Sequence, residues 1–252
     1  MLSPYLFAIY VDSVVKKAQS SGHGCYVRHT CVSILLYADD ILLLAPSVSS
    51  LQMLLCMCET ELEYLDMSIN VKKSSCIRIG ARYTAKCSRV TTLKGCEVLW
   101  SDTLRYLGVY ITAGHRFCCS LCNAKRSFYR AFNCIFGKVG RIANENVVME
   151  LLKAKCLPSM LYGLEACPIN KTQIRSLEFV LNNASRKIFL TMSYDVASEC
   201  LLLFNCSVSD SIYNRKVKFL NKLKYSDNII HRLFARNICD ELDDLPYKFN
   251  LI

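Results

Sequence analysis

Residues 32–44 form an apolar run that carries charge at one place only, the adjacent pair Asp39 and Asp40. An unpaired carboxylate left in such surroundings costs several kcal/mol, the order expected for a desolvated ion. The pair therefore has to meet water, a cation or a basic partner, and the chain has to turn there. Residues 32–38 and 41–44 read as two buried strands joined at the acidic pair, a hairpin. Two readings of the pair stay open on the residues alone. Aspartate suits a tight turn covered by solvent. Paired hard oxygens also suit Mg²⁺ that touches substrate phosphates, and in two-metal phosphoryl transfer ions about 3.5–4 Å apart stabilise the attacking and leaving oxygens. That second use normally needs a third carboxylate from another strand.

The pattern around this hairpin is mixed. Ser3 and Pro4 read as cap and first turn of a helix reaching about Gln19, with Leu6, Ile9 and Tyr10 on one face. Residues 25–31 are strand-like. Ser50 can cap a helix whose Leu51, Leu54, Leu55, Cys58, Leu62 and Leu65 follow the 3.6-residue period. Residues 68–79 return toward strand character, and 97–100 with 104–111 read as a second hairpin through Ser101-Asp102-Thr103. Beyond Gly114 the periodicity is helical, at about 120–141, 145–156, 171–190, 209–225 and 228–239, with Asn144, Ser209 and Asp227 as capping residues. The expected fold class is α+β: residues 1–112 are antiparallel hairpins packed with helices, and 113–252 are all helical.

Composition narrows the function classes. Gly and Pro make up only 14 of 252 residues and 52% are apolar, which excludes collagen-like and disordered chains. The 16 cysteines accompany neither a basic segment leading into an apolar run nor a small-residue cleavage site, so reduced intracellular thiols are expected. The uncharged stretch 41–58 contains Pro46, Ser47, Ser49, Ser50 and Gln52 and is not read as membrane-spanning. His23, Cys25, His29 and Cys31, or His115, Cys118, Cys119 and Cys122, lack the usual Cys-x-x-Cys spacing; zinc is not expected at either set.

The net charge of +10 is unevenly shared: 11 basic and 9 acidic residues lie in 1–112, against 20 and 12 in 113–252. A polyanion is the natural partner of that second part; the alternative is that basic residues merely solvate helices. Within the helix at 120–141, Leu121, Phe128, Phe132, Ile135 and Val139 share one stripe, while Arg126, Arg130, Asn133 and Arg141 fall opposite. Arginines one turn apart suit phosphate oxygens without reading bases. Gly137 and Gly140 could end this helix before Arg141. Arg215, Lys216, Lys218, Lys222 and Lys224 read as a second basic cluster.

The string Leu36-Tyr37-Ala38-Asp39-Asp40-Ile41-Leu42-Leu43-Leu44 resembles the aspartate-pair motif of reverse transcriptases, and its surroundings resemble those of non-LTR, LINE-type retrotransposon polymerases. Leu2-Ser3-Pro4-Tyr5-Leu6-Phe7 resembles the end of the preceding motif. Asn70-Val71-Lys72-Lys73-Ser74 resembles the Asn-x-x-Lys-Ser element, and Tyr106-Leu107-Gly108-Val109-Tyr110-Ile111 the primer-grip hairpin between palm and thumb. From about Phe117, including Lys125-Arg126-Ser127-Phe128-Tyr129-Arg130, Cys156-Leu157-Pro158 and Leu161-Tyr162-Gly163, the chain is similar to the thumb and following region.

The resemblance implies a partial palm at 1–112, a thumb-like region at 113–252, and template-directed nucleotidyl transfer to a primer 3′ end, with an RNA template and a DNA primer as partners. It implies that Asp39 and Asp40 are catalytic and hold Mg²⁺ or Mn²⁺, that Tyr37 lies near the primer end, and that Leu107 and Gly108 support the primer backbone. Lys73 would approach the incoming nucleotide's phosphates, the alternative being a surface lysine. In such polymerases the first catalytic aspartate, the fingers and a Gly/Gln turn precede the Leu-Ser-Pro segment, here at residues 2–4. Asp12 matches no metal-binding position of the family. The resemblance therefore implies an incomplete metal site and a product inactive alone, unless an upstream retroelement polypeptide supplies the rest. By analogy it would act in the nucleus or cytoplasm, with no membrane partner. The alternative is a non-catalytic remnant that binds nucleic acid through its basic thumb helices; a helical protein-interaction module is a third, weaker reading.

Overall fold

The computed structural model describes residues 3–140 and 142–249, and the chain clusters as two units. One holds the chain up to Leu104 together with Ala113–Arg116; the other holds Arg105–Thr112 and the chain from Phe117 onward.

In the first unit the expected opening helix is two, α1 (Ser3–Tyr10) and α2 (Asp12–Ser20). Val11 leaves helical geometry between them and buries its side chain with Val14 and Ala18. The strand-like segment at 25–31 is a tight hairpin, β1 (Tyr26–Val27) and β2 (Thr30–Cys31), turning through Arg28 at φ +55°. Next come β3 (Ile34–Tyr37) and β4 (Asp40–Leu43), antiparallel from Ile34↔Leu43 to Tyr37↔Asp40. Side chains directly opposite share a face. Ile34, Leu36, Ile41 and Leu43 accordingly pack on one side, against α2 and against Leu54, Cys58 and Leu62 of α3 (Val48–Tyr64). A Cβ on Gly24 would lie 2.0 Å from Cβ of the buried Ser33, so only glycine lets the chain pass behind β3.

Helix α3 starts earlier than Ser50. Ser47 follows Pro46 in extended geometry, and its hydroxyl accepts from the Ser50 amide at 3.1 Å. Gln52 then ties α3 to β5 (Val90–Thr91): its Nε2 donates to the Thr91 carbonyl at 2.6 Å and its Oε1 accepts from the Thr91 amide at 2.8 Å.

Two expectations fail in this unit. Strand β6 (Glu97–Val98) pairs back with β5 and not forward with 104–111, because Gly95, at φ +76°, closes a turn with its amide on the Thr92 carbonyl at 2.9 Å. Residues 68–79 form turns and two single bridges, Cys76↔Trp100 and Ile79↔Gly114, in place of a strand. The Asn70 carbonyl explains part of this, since it draws in the amides of both Lys73 and Ser74 at 3.0 Å.

Strands β7 (Thr103–Tyr106), β8 (Val109–Thr112) and β9 (Cys118–Cys119) form a sheet in the order β7-β8-β9; residues 105–112 and 118–119 lie in the second unit. This unit is otherwise helical: α4 (Cys122–Val139), α5 (Glu145–Leu151), a π turn (Leu152–Cys156), α6 (Leu157–Met160), a 3₁₀ turn (Leu164–Ala166), α7 (Lys171–Ile188), α8 (Tyr194–Leu203), α9 (Val208–Lys224), α10 (Ile229–Leu233) and α11 (Ala235–Lys248). Small antiparallel sheets followed by a mostly helical region is the mixed α and β organisation read from the sequence.

The apolar stripe of α4 is buried through Phe128 and Phe132, against Met149, Leu152, Met160, Leu177 and Leu181. The π turn stands where one continuous helix over 145–156 was expected. Pro158 has no amide and its ring crowds the carbonyl four residues back, so the preceding turn widens. Asn144 caps α5 as expected, its side chain accepting from the Val147 amide. Ser207 and Asn228 cap α9 and α10, each one or two residues before or after the expected Ser209 and Asp227. Lys216 is buried: its Nζ donates to the Cys167 carbonyl at 3.2 Å and pairs with Glu241 at 2.7 Å, so it leaves the expected basic surface cluster.

Candidate functional site

In the first unit the acidic pair sits where the hairpin turns. Ala38 and Asp39 make the two-residue turn between β3 and β4, with Ala38 at φ +50°, a conformation β-carbons resist. Tyr37, Ala38, Asp39 and Asp40 are all exposed, while the strands behind them are anchored by Ile34 in the core. The turn is thus open to solvent at the acidic pair. Neither aspartate has an ion-pair partner among the described residues.

Two adjacent carboxylates on a hairpin anchored in the core fit Mg²⁺, which keeps several waters and takes one or two carboxylates plus substrate phosphates. Among the described residues, however, no group of three or more His, Cys, Asp or Glu side chains gathers. That holds for the pair and for both cysteine and histidine sets named above. Lys73 lies exposed in the turn organised by Asn70, its amide donating to the Asn70 carbonyl at 3.0 Å, and it takes part in no ion pair among the described residues.

The second unit holds a cavity of about 770 Å³ that gathers four of the expected residues: Leu107, Gly108, Arg126 and Arg130. Leu107 (φ +47°) and Gly108 (φ +82°) form the two-residue turn between β7 and β8, both left-handed, as hairpins with matching twist demand. Tyr162 locks that turn. Its hydroxyl donates to the Leu107 carbonyl at 3.2 Å, and its ring lies so close that a Cβ on Gly108 would meet Cε1 at 2.8 Å. Arg126 and Arg130 project from the exposed face of α4, one turn apart and opposite the buried Phe128 and Phe132. The helix ends at Val139, with the Gly140 amide on the Phe136 carbonyl at 2.9 Å; Arg141 lies outside the described residues.

Arg105 and Cys167 of this cavity escaped the sequence reading, and Cys119 entered it only as a candidate zinc ligand. Arg105 adds a third guanidinium, held 6.0 Å over the Tyr110 ring across the hairpin. The signal for it was its place two residues before Leu107 in an alternating strand. Cys119 and Cys167 line the same wall, hydrogen-bonded to each other. That bond holds the Cys119 thiol below the usual range, and with burial it pushes Cys167 up. Burial alone pushes Cys156 up to about 11, so it stays a neutral thiol.

Three guanidinium groups line the cavity of the second unit, and two adjacent carboxylates stand at the hairpin tip of the first. Residues 1–111 match the family model described as reverse transcriptase (RNA-dependent DNA polymerase). The match takes in the acidic pair, Lys73 and the Leu107-Gly108 turn, and stops before Arg126 and Arg130. The similarity to reverse transcriptases is thus to residues 1–111. None of the curated proteins matches the chain. No described helix is long and apolar enough to cross a membrane.

Proposed function

We propose that this chain carries the acidic pair and the backbone grip of a reverse transcriptase of the non-LTR retrotransposon type, with palm elements in the first unit and a thumb in the second. The observation that carries the reading is the Tyr37-Ala38-Asp39-Asp40 tip, which stands exposed on an anchored hairpin inside the segment matching the reverse transcriptase model. Asp39 and Asp40 hold Mg²⁺ or Mn²⁺, which when bound neutralises charge developing on the transferring phosphoryl group. The Tyr37 ring, exposed beside them, offers a face to the terminal base of a primer. Arg105, Arg126 and Arg130 take the phosphates of a template–primer hybrid, while the turn at Leu107 and Gly108 brings backbone close to it. None of these groups reads base identity, as copying any template requires.

Only two carboxylates gather at the tip among the described residues, so nucleotidyl transfer needs a third from outside them. That observation also favours a second reading, a non-catalytic protein that retains the grip alone. An RNA–DNA hybrid is expected to bind the purified chain with log affinity falling linearly against log salt, at a slope of about −0.7 to −0.9 per phosphate neutralised. Salt-insensitive binding would contradict the grip. In the same preparation, a primed RNA template with Mg²⁺ is expected to stay unextended. Extension that disappears in Asp39→Ala would show a complete site and overturn the two-carboxylate account.

A further inference from the structure

Beside the arginine cavity lies another, of about 350 Å³, and Pro158 stands in the wall of both. Lys153 and Arg215 supply its charge and Asn205 and Asn214 its neutral donors, the Ser211 hydroxyl already donating to the Ser207 carbonyl at 2.7 Å, and among the described residues no acidic side chain lines it. The sequence explains the grouping. Ser211, Asn214 and Arg215 stand at i, i+3 and i+4, so they share one face near the start of the 17-residue helix α9, whose N-terminal end carries partial positive charge. Lys153 comes from the π turn that Pro158 imposes. Asn205, at φ +49°, ends α8 in the left-handed conformation, its amide on the Leu202 carbonyl at 2.9 Å.

The charges are only partly satisfied. Arg215 is half-buried and has no ion-pair or hydrogen-bond partner among the described residues. A guanidinium drawn partly out of water without an acceptor is a donor fork with nothing to bind. Lys153 pairs with Glu150 at 2.8 Å, but the glutamate side chain is 70% exposed and the lysine 29%. Such a surface pair is weak enough for an arriving anion to share the ammonium.

We propose that this second cavity holds a backbone phosphate of the same nucleic acid whose phosphates meet Arg105, Arg126 and Arg130. The second unit then grips the strand at two stations, one on each side of Pro158. This rests on the nucleic-acid-binding reading above. A free phosphate offers the same chemistry, so the test separates the two sources.

The test compares the full chain with Lys153→Gln/Arg215→Gln and with Arg126→Gln/Arg130→Gln, using a labelled RNA–DNA hybrid across a salt series and circular dichroism to confirm folding. Lys153→Gln/Arg215→Gln is expected to reduce the steepness of log affinity against log salt by about 0.7 to 0.9, one phosphate's worth, and Arg126→Gln/Arg130→Gln by about 1.4 to 1.8, two phosphates' worth. Arg215→Lys, keeping the charge, is expected to retain the wild-type slope. If Lys153→Gln/Arg215→Gln leaves the slope intact while Arg126→Gln/Arg130→Gln lowers it, the second station is refuted and the function stands. If neither pair changes it, both readings fall. Inorganic phosphate is titrated separately by calorimetry at constant ionic strength. Binding that Lys153→Gln/Arg215→Gln abolishes, with an unchanged hybrid slope, would assign the cavity to a small phosphate ligand and overturn the backbone assignment.

Discussion

Lys216→Ala is expected to cost the second unit about 3 kcal/mol of stability, the low end of the range for breaking a buried pair from one side. The residue is only 8% exposed, and its ammonium serves both the Cys167 carbonyl and the Glu241 carboxylate. Alanine leaves the carbonyl without this donor and the carboxylate without its counter-ion. The low end applies because the Glu241 side chain is 36% exposed and regains water. Lys216→Met, which keeps the aliphatic stem, is expected to recover part of the loss. Lys218→Ala, on the exposed face of the same helix, should stay within about 0.5 kcal/mol of wild type. Urea unfolding followed by helical circular dichroism measures all three. Equal behaviour of Lys216→Ala and Lys218→Ala would place Lys216 in water.

Gly108→Val is expected to weaken hybrid binding about tenfold or more while the helices stay folded. A β-branched residue in the left-handed conformation costs about 1–2 kcal/mol. Its side chain would also drive into the Tyr162 ring, which leaves no room even for a Cβ. The least costly relief is for the turn to open and Tyr162 to swing away, taking with it the bond to the Leu107 carbonyl. Both changes deform the wall that faces Arg126 and Arg130. Gly108→Ala should fall between Gly108→Val and wild type. Unchanged affinity in Gly108→Val, measured by fluorescence anisotropy at one fixed salt concentration, would separate the turn from the grip.

The hairpin at Asp39 and Asp40 was legible because an apolar run interrupted by charge has few ways to fold, and the face of α4 because its 3.6-residue period is long and unbroken. Lys216 was misread although the signal was present. It stands four residues after Ile212 and four before Leu220, in the middle of the buried stripe of α9, and its charge hid that position. The pairing of β6 with β5 was lost for a different reason. Two-residue strands carry almost no alternation, so the turn at Gly95 decides the partner and not the strands themselves. Neither cavity could be read from the chain directly. Arg105 and Arg126 come to line one cavity, and Lys153 and Arg215 the other, through tertiary packing of segments many residues apart.

Iron-directed cleavage tests the acidic pair most directly. Fe²⁺ takes the place of Mg²⁺ at oxygen ligands and, with peroxide, cuts nucleic acid beside it. With a recessed-primer RNA–DNA hybrid bound to the chain, cuts are expected to cluster at the primer 3′ end and to vanish in Asp39→Asn/Asp40→Asn, while hybrid affinity is retained. Cuts spread evenly along the hybrid, or a cluster that persists without the two carboxylates, would contradict the assignment of this hairpin tip to nucleotidyl transfer.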